Sequence, residues 1–160
     1  MKKLIPFVVL VISSLFAFSQ KKENAISVIP EPVSMVQGTG YYTLPAVITV
    51  SIPNLPELKT TSEMVLAKLA ATGKKVSVLN GKNAVIRFEL TKIHEPELHE
   101  EGYRLSVKST GIIITANKPA GLFYGAQTLW QLLPQQIESK TKVSNVSWKA
   151  PMVEIKDYPR

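Results

Sequence analysis

Residues 103–134 read YRLSVKSTGIIITANKPAGLFYGAQTLWQLLP, and this stretch decides the fold. Apolar and polar residues alternate over Tyr103–Lys108, Ser109-Thr110-Gly111 supplies a turn, and Ile112–Thr115 returns, which predicts a hairpin with one buried face. The period then changes from strand to helix. Asn117 is placed to cap a helix, and Pro119 suits its first turn, where a missing N–H costs nothing. Leu122, Ala126, Leu129 and Leu133 form one apolar stripe, Phe123 and Trp130 flank it, and Pro134 stops it. Gly121 and Gly125 lie one turn apart inside this helix. A mid-helix glycine costs roughly 1 kcal/mol against alanine, so a close approach to the sheet is expected there.

Working outward, Leu58, Val65 and Leu69 recur near helical spacing, with Thr61 or Ser62 between them and Leu66 and Ala70 widening the stripe. They predict a first helix over 58–71, ended by Gly73 as a C′ residue. Lys75–Leu79 and Ala84–Leu90 read as a strand pair across Asn80-Gly81-Lys82-Asn83, since Asn-Gly readily takes left-handed conformations. Val33–Val36 and Tyr41–Leu44 read as two strands joined at Gly38-Thr39-Gly40, and Ala46–Ile52 as a third β-branched run. With connections mostly too short for parallel crossovers, the expected fold class is α+β: a mainly antiparallel sheet with two helices packed on one face.

The 160 residues allow one domain with a genuine core, and leave no room for a (β/α)8 barrel of roughly 250 residues. Residues 1–19 read as a secretory signal: Lys2 and Lys3, an apolar run from Leu4 to Leu15, then small Ala17 and Ser19 before Gln20. That apolar run is short for a bilayer and diluted by Pro6 and Ser13-Ser14, so export without a stable membrane anchor is expected, to the periplasm or beyond the cell. Residues 20–28 follow as a flexible leader. With no cysteine, neither a disulfide framework nor a lipid-attachment site is available. The net charge of +7 is scattered singly, at Lys59, Lys68, Lys92, Lys108, Lys118 and Lys149, and not grouped as a nucleic-acid surface requires.

Few residues invite a catalytic reading. His94 and His99 are spaced i, i+5 rather than i, i+4, and Pro96 breaks the helix that a His-Glu-x-x-His zinc site needs. Glu97, Glu100, Glu101, Glu154 and Asp157 could supply the carboxylates of glycoside hydrolysis, but no Asp-Glu dipeptide occurs. Neither a Gly-x-Ser-x-Gly elbow nor a glycine-rich phosphate loop is present. Tyr41, Tyr42, Tyr103, Tyr124, Trp130 and Trp148 could stack on sugar rings, although aromatics on strands and helix stripes more often belong to a core. No catalytic, cofactor-binding or metal-binding residue is therefore assigned within these residues, and no cofactor is expected.

Four segments carry a family resemblance: Ile29-Pro30-Glu31-Pro32, Glu101-Gly102-Tyr103-Arg104-Leu105, the run Gly121–Leu133, and Ile155-Lys156-Asp157-Tyr158-Pro159-Arg160. Together they resemble the N-terminal domain of a glycoside hydrolase family 20 β-N-acetylhexosaminidase. The resemblance implies a noncatalytic domain of zincin-like topology without zinc over 29–150. It implies a linker over 151–160 into a catalytic barrel normally in the same chain, through which alone glycan would be met. In that family the substrate's acetamido group is the nucleophile, assisted by an Asp-Glu pair on the barrel, so the 160 residues are expected to be inactive alone, as a fragment or truncated product. The alternatives are a free-standing carbohydrate-binding or interaction domain, or the N-terminal domain of an α-glucuronidase or hyaluronidase-like glycosidase.

Overall fold

The computed structural model describes residues 26–160; the signal expected over 1–19 lies outside the described residues. Among the described residues, seven strands form one sheet: β1 (Ser34–Thr43), β2 (Val47–Ser51), β3 (Lys75–Val78), β4 (Ile86–Leu90), β5 (Tyr103–Lys108), β6 (Gly111–Ala116) and β7 (Lys149–Asp157). Their spatial order is β1-β7-β5-β6-β4-β2-β3. Two helices, α1 (Lys59–Ala70) and α2 (Pro119–Leu132), complete the α+β architecture. The expected mainly antiparallel sheet is corrected to a mixed one. The pairs β1–β7, β7–β5 and β5–β6 are antiparallel, and β6–β4, β4–β2 and β2–β3 are parallel.

The correction has a geometric cause. Lys75–Val78 and Ile86–Leu90 do not pair with each other; β2 lies between them, parallel to both. Val50 of β2 is level with Val78, the last residue of β3, and with Ile86, the first of β4. The strands are thus staggered, and the chain from β3 need only step sideways past the end of β2 before β4 continues in the same direction. That stagger removes the need for a long crossover, which parallel neighbours ordinarily require. Gly81 turns the chain at φ 111°, but Asn80 is not at positive φ, so the two-residue type I′ turn of a hairpin does not form.

At the other edge, the glycines at 38 and 40 make a bulge and not a hairpin. β1 is a single strand paired along its length with β7, and its register jumps from Gln37↔Val153 to Tyr41↔Pro151, so two extra residues are accommodated. Residues 151–157, expected as part of a linker, lie within β7, inside the sheet between β1 and β5. The hairpin of β5 and β6 forms as expected, from Tyr103↔Ala116 to Lys108↔Gly111.

Both helices share one core with the sheet. Ile48 and Val50, Ile86 and Phe88, Leu105 and Val107, Ile112 and Ile114, and Val153 and Ile155 are buried together with Val65 and Leu69 of α1 and Leu122, Ala126 and Leu129 of α2. The intervening residues face the other way and carry ion pairs, Arg87 to Glu89 at 2.9 Å and Lys108 to Glu154 at 3.0 Å. Such exposed pairs contribute about 0–1 kcal/mol each, so the helix side holds the fold. Asn117 does not cap α2. The residue before the helix is Lys118, and the Asn117 side chain instead accepts from Thr91 Oγ1 (2.8 Å) and the Glu95 N–H (2.9 Å) and donates to the Glu95 carbonyl (2.7 Å), pinning the loop after β4.

The two helix glycines have the packing reason their position implies. A Cβ on Gly121 would fall 2.7 Å from the Ala116 Cβ and collide with the Gly102 carbonyl; one on Gly125 would lie 3.2 Å from the Tyr103 ring and collide with the Ile114 side chain. Gly125→Ala should therefore lower stability by about 1 kcal/mol or more, where helix propensity alone would raise it. Leu129 is fully buried, and Leu129→Ala should cost about 2–5 kcal/mol. Denaturant unfolding measures both; a change below about 0.5 kcal/mol for Leu129→Ala contradicts its place in the core.

Candidate functional site

Beside α2, where β7 ends, lies a cleft of about 680 Å³. Its walls come from four distant stretches: Val28–Glu31, Glu101 and Tyr103, the α2 residues Tyr124, Gln127, Thr128 and Gln131, and Asp157–Arg160. Tyr124, Gln127, Thr128 and Gln131 recur at helical spacing on an otherwise apolar helix, which puts a polar flank along one side of α2.

Several of these groups hold one another. Gln131 Oε1 accepts the Ile29 N–H at 2.8 Å, and its Nε2 donates to the Ile29 carbonyl at 3.0 Å, so one side-chain amide serves Ile29 as a neighbouring strand would. Asp157 Oδ1 accepts the Val33 N–H at 3.1 Å, and Arg160 Nη2 donates to the Glu31 carbonyl at 2.8 Å. The peptide between Ile29 and Pro30 is cis. Beneath them the Tyr103 hydroxyl is hydrogen-bonded to Thr128 Oγ1, which satisfies two polar groups that are both buried. Gly102 lets the chain pass tightly here: a Cβ on it would lie 2.8 Å from both Leu98 Cα and Tyr158 Cβ.

Burial pushes the Tyr103 phenol up to about 12, reinforced by the charge of Asp157 and opposed by the Thr128 hydrogen bond. Above the cleft the rim is apolar and open, with Ile29 77% exposed and Tyr124 42% exposed.

The other residues singled out in the sequence are placed elsewhere or otherwise engaged. His94 is exposed in the loop after β4, and His99, at φ 48°, sets its ring edge-on to Tyr158 at 6.0 Å. Glu95 pairs with Arg104 at 2.6 Å and Glu97 with Lys156 at 2.7 Å; the Lys156 ammonium, by hydrogen bond and charge, holds the Glu97 carboxyl below the usual range. Glu100 is exposed, Glu101 reaches the cleft, and Glu154 sits on the outer sheet face with Lys108 and Ser106. Tyr42, Tyr103, Trp130 and Trp148 are core residues, whereas Tyr41 and Tyr124 are exposed. Among the described residues no group of three or more His, Asp or Glu is placed to hold a metal ion, and no helix is long and apolar enough to cross a membrane. The roles of Gln131 and Thr128 escape a linear reading because their partners lie 102 and 25 residues away.

A family model described as glycosyl hydrolase family 20, domain 2, matches residues 25–158. A β-hexosaminidase of Porphyromonas gingivalis is 31% identical over 159 aligned residues, which cover 91% of this chain and 20% of that one. Among solved structures, an N-acetyl-β-hexosaminidase of Streptomyces plicatus, in complex with Thio-NAglucal, superposes with a TM-score of 0.75 at 34% identity, over 83% of this chain and 26% of that one. A β-N-acetylhexosaminidase of Streptomyces coelicolor does so with a TM-score of 0.74 at 33% identity, over 83% and 26%. The chain thus spans about a fifth to a quarter of the length of these relatives.

The Tyr103 phenol gives this region a pH signature. Its protonated form is neutral and folding raises its pKa above the ordinary value near 10, so its contribution to stability is complete below pH 10 and is lost as pH rises from there through about 12. Unfolding curves between pH 9 and 12 should show this loss, and Tyr103→Phe should diminish it.

Proposed function

The chain belongs to glycosyl hydrolase family 20, matching its domain 2, and from that premise we propose that it is the noncatalytic N-terminal domain of an exported β-N-acetylhexosaminidase. In the whole enzyme a catalytic barrel, carried in the same polypeptide, removes terminal N-acetylhexosamine from glycans with the substrate's acetamido group as nucleophile. The role of this domain is then to hold the barrel.

One observation carries the reading: the cleft gathers residues from all four motif segments, from Ile29 to Arg160, at the place where the chain leaves the sheet. Segments that served separate packing roles would have no reason to meet there. The polar groups of the cleft largely position backbone, as Gln131 does for Ile29 and Asp157 for Val33. The open apolar rim of Ile29 and Tyr124, with Phe123 edge-on to the Tyr124 ring, is the kind of surface that marks a protein contact.

A chromogenic N-acetyl-β-glucosaminide tests the assignment. The 160-residue chain should give no turnover, and a polypeptide continued through a catalytic barrel should. Turnover by the short chain that disappears in Glu101→Gln or Asp157→Asn would overturn it.

A carbohydrate-binding role is favoured by one feature, the exposed Tyr124 ring beside a cleft of ligand size. Titration with N-acetylglucosamine oligomers separates the two readings: saturable binding lost in Tyr124→Ala supports this one, and no binding supports the junction. Export is proposed to remove residues 1–19 and leave Gln20 first, which mass spectrometry of the exported protein would show; an intact Met1 contradicts it.

A further inference from the structure

The segment Val28–Val33 precedes β1 and belongs to no strand or helix, yet it is closely held. Val28 and Pro32 are buried and Val33 is half-buried, while Ile29, Pro30 and Glu31 between them are exposed, Ile29 at 77%, so apolar burial anchors the segment near its ends and leaves its middle to polar contacts. Its backbone is met by side chains from two separate parts of the fold. Gln131, on α2, takes both polar groups of Ile29. Asp157, the last residue of β7, takes the Val33 N–H, and Arg160, beyond the strand, takes the Glu31 carbonyl.

After Asp157 the sheet ladder ends. Beyond it Tyr158 packs beside His99 and Gly102, and Arg160 reaches back to the Glu31 carbonyl, 129 residues earlier in the chain.

We propose that Val28–Val33 is a strap, latched on one side to α2 by Gln131 and on the other to the end of β7 by Asp157 and Arg160, that sets the direction in which the chain leaves the sheet, with Gln131, Asp157 and Arg160 as its positioning residues. Each bond alone is worth little at a surface, because water competes for its partners. In series they support each other: once one latch closes, the strap has lost the freedom that the next would otherwise have to remove. The three latches therefore open together. The strap deepens the junction reading, since whatever follows Arg160 inherits its orientation, but its test does not depend on a catalytic domain. Failure of the strap leaves the family role intact, and failure of the family role leaves the strap intact.

Two amides report the latches directly, because the Ile29 N–H is bonded to Gln131 and the Val33 N–H to Asp157. Hydrogen exchange is followed by NMR on the full chain and on Gln131→Met, which keeps side-chain length and helix propensity at an exposed position while removing both bonds to Ile29. The proposal expects Ile29 to exchange about tenfold faster and Val33, whose own partner is untouched, to quicken several-fold, while Val107 and Ile155 in the sheet keep their wild-type rates. Arg160→Met, outside every element, should also quicken both reporters. If Ile29 quickens and Val33 does not, the contacts are independent and the proposal fails. Unchanged rates at both amides in Gln131→Met would equally overturn it, because the latch would then not be formed.

Discussion

Everything that forms the cleft depends on how closely α2 lies on β5 and β6. At Gly121 and Gly125 no side chain separates helix from sheet, and the space a methyl group would need is filled by the Gly102 carbonyl, Ala116, Ile114 and the Tyr103 ring. This approach brings Thr128 within hydrogen-bonding reach of the Tyr103 hydroxyl, and it sets Gln131 against Ile29. The roughly 1 kcal/mol that each glycine costs the helix is offset by buried packing that a larger residue would push apart. A looser α2 would leave the Tyr103 hydroxyl buried without a partner, which costs more than the bond itself is worth.

The second constraint is topological. The first and last strands of the described residues, β1 and β7, pair with each other, and β7 then pairs with β5. The two ends of the domain are thereby brought side by side, and the Val28–Val33 segment reaches the point where the chain leaves. A domain built this way has its incoming and outgoing chain at one corner, next to an apolar rim, which suits a unit that orients another. The opposite sheet face, with its Arg87–Glu89 and Lys108–Glu154 pairs, is well suited to water.

What could be read from the sequence was local. The β5–β6 hairpin, the Leu122–Leu129 stripe, Pro119 in the first turn of α2 and the purpose of Gly121 and Gly125 follow from period and turn chemistry over a few residues. What could not be read was pairing between distant elements. Asn80-Gly81 is a sound turn signal, but whether the chain doubles back or steps past a neighbour depends on β2 already standing between the two strands. Gly38 and Gly40 likewise allow a hairpin or a bulge, and only the presence of β7 along all of β1 selects the bulge. Asn117 looked like a helix cap because capping is the nearest use for such a residue, while its partners lay across the loop after β4. The same holds for the cleft: all four of its segments were visible as motifs, and nothing along the chain said that they touch.

The proposed role sets the cleft corner, and not another surface, against the rest of an enzyme. Tyr41 and Tyr124 form a matched pair for testing it, since each is 42% exposed but Tyr41 lies on β1 and Tyr124 on the cleft rim. Hydroxyl-radical footprinting compares their oxidation in the 160-residue chain and in a polypeptide continued through a family 20 catalytic domain. Strong protection of Tyr124 with Tyr41 unchanged is the predicted result. Equal oxidation of Tyr124 in both proteins, or protection of Tyr41 in its place, would contradict the account.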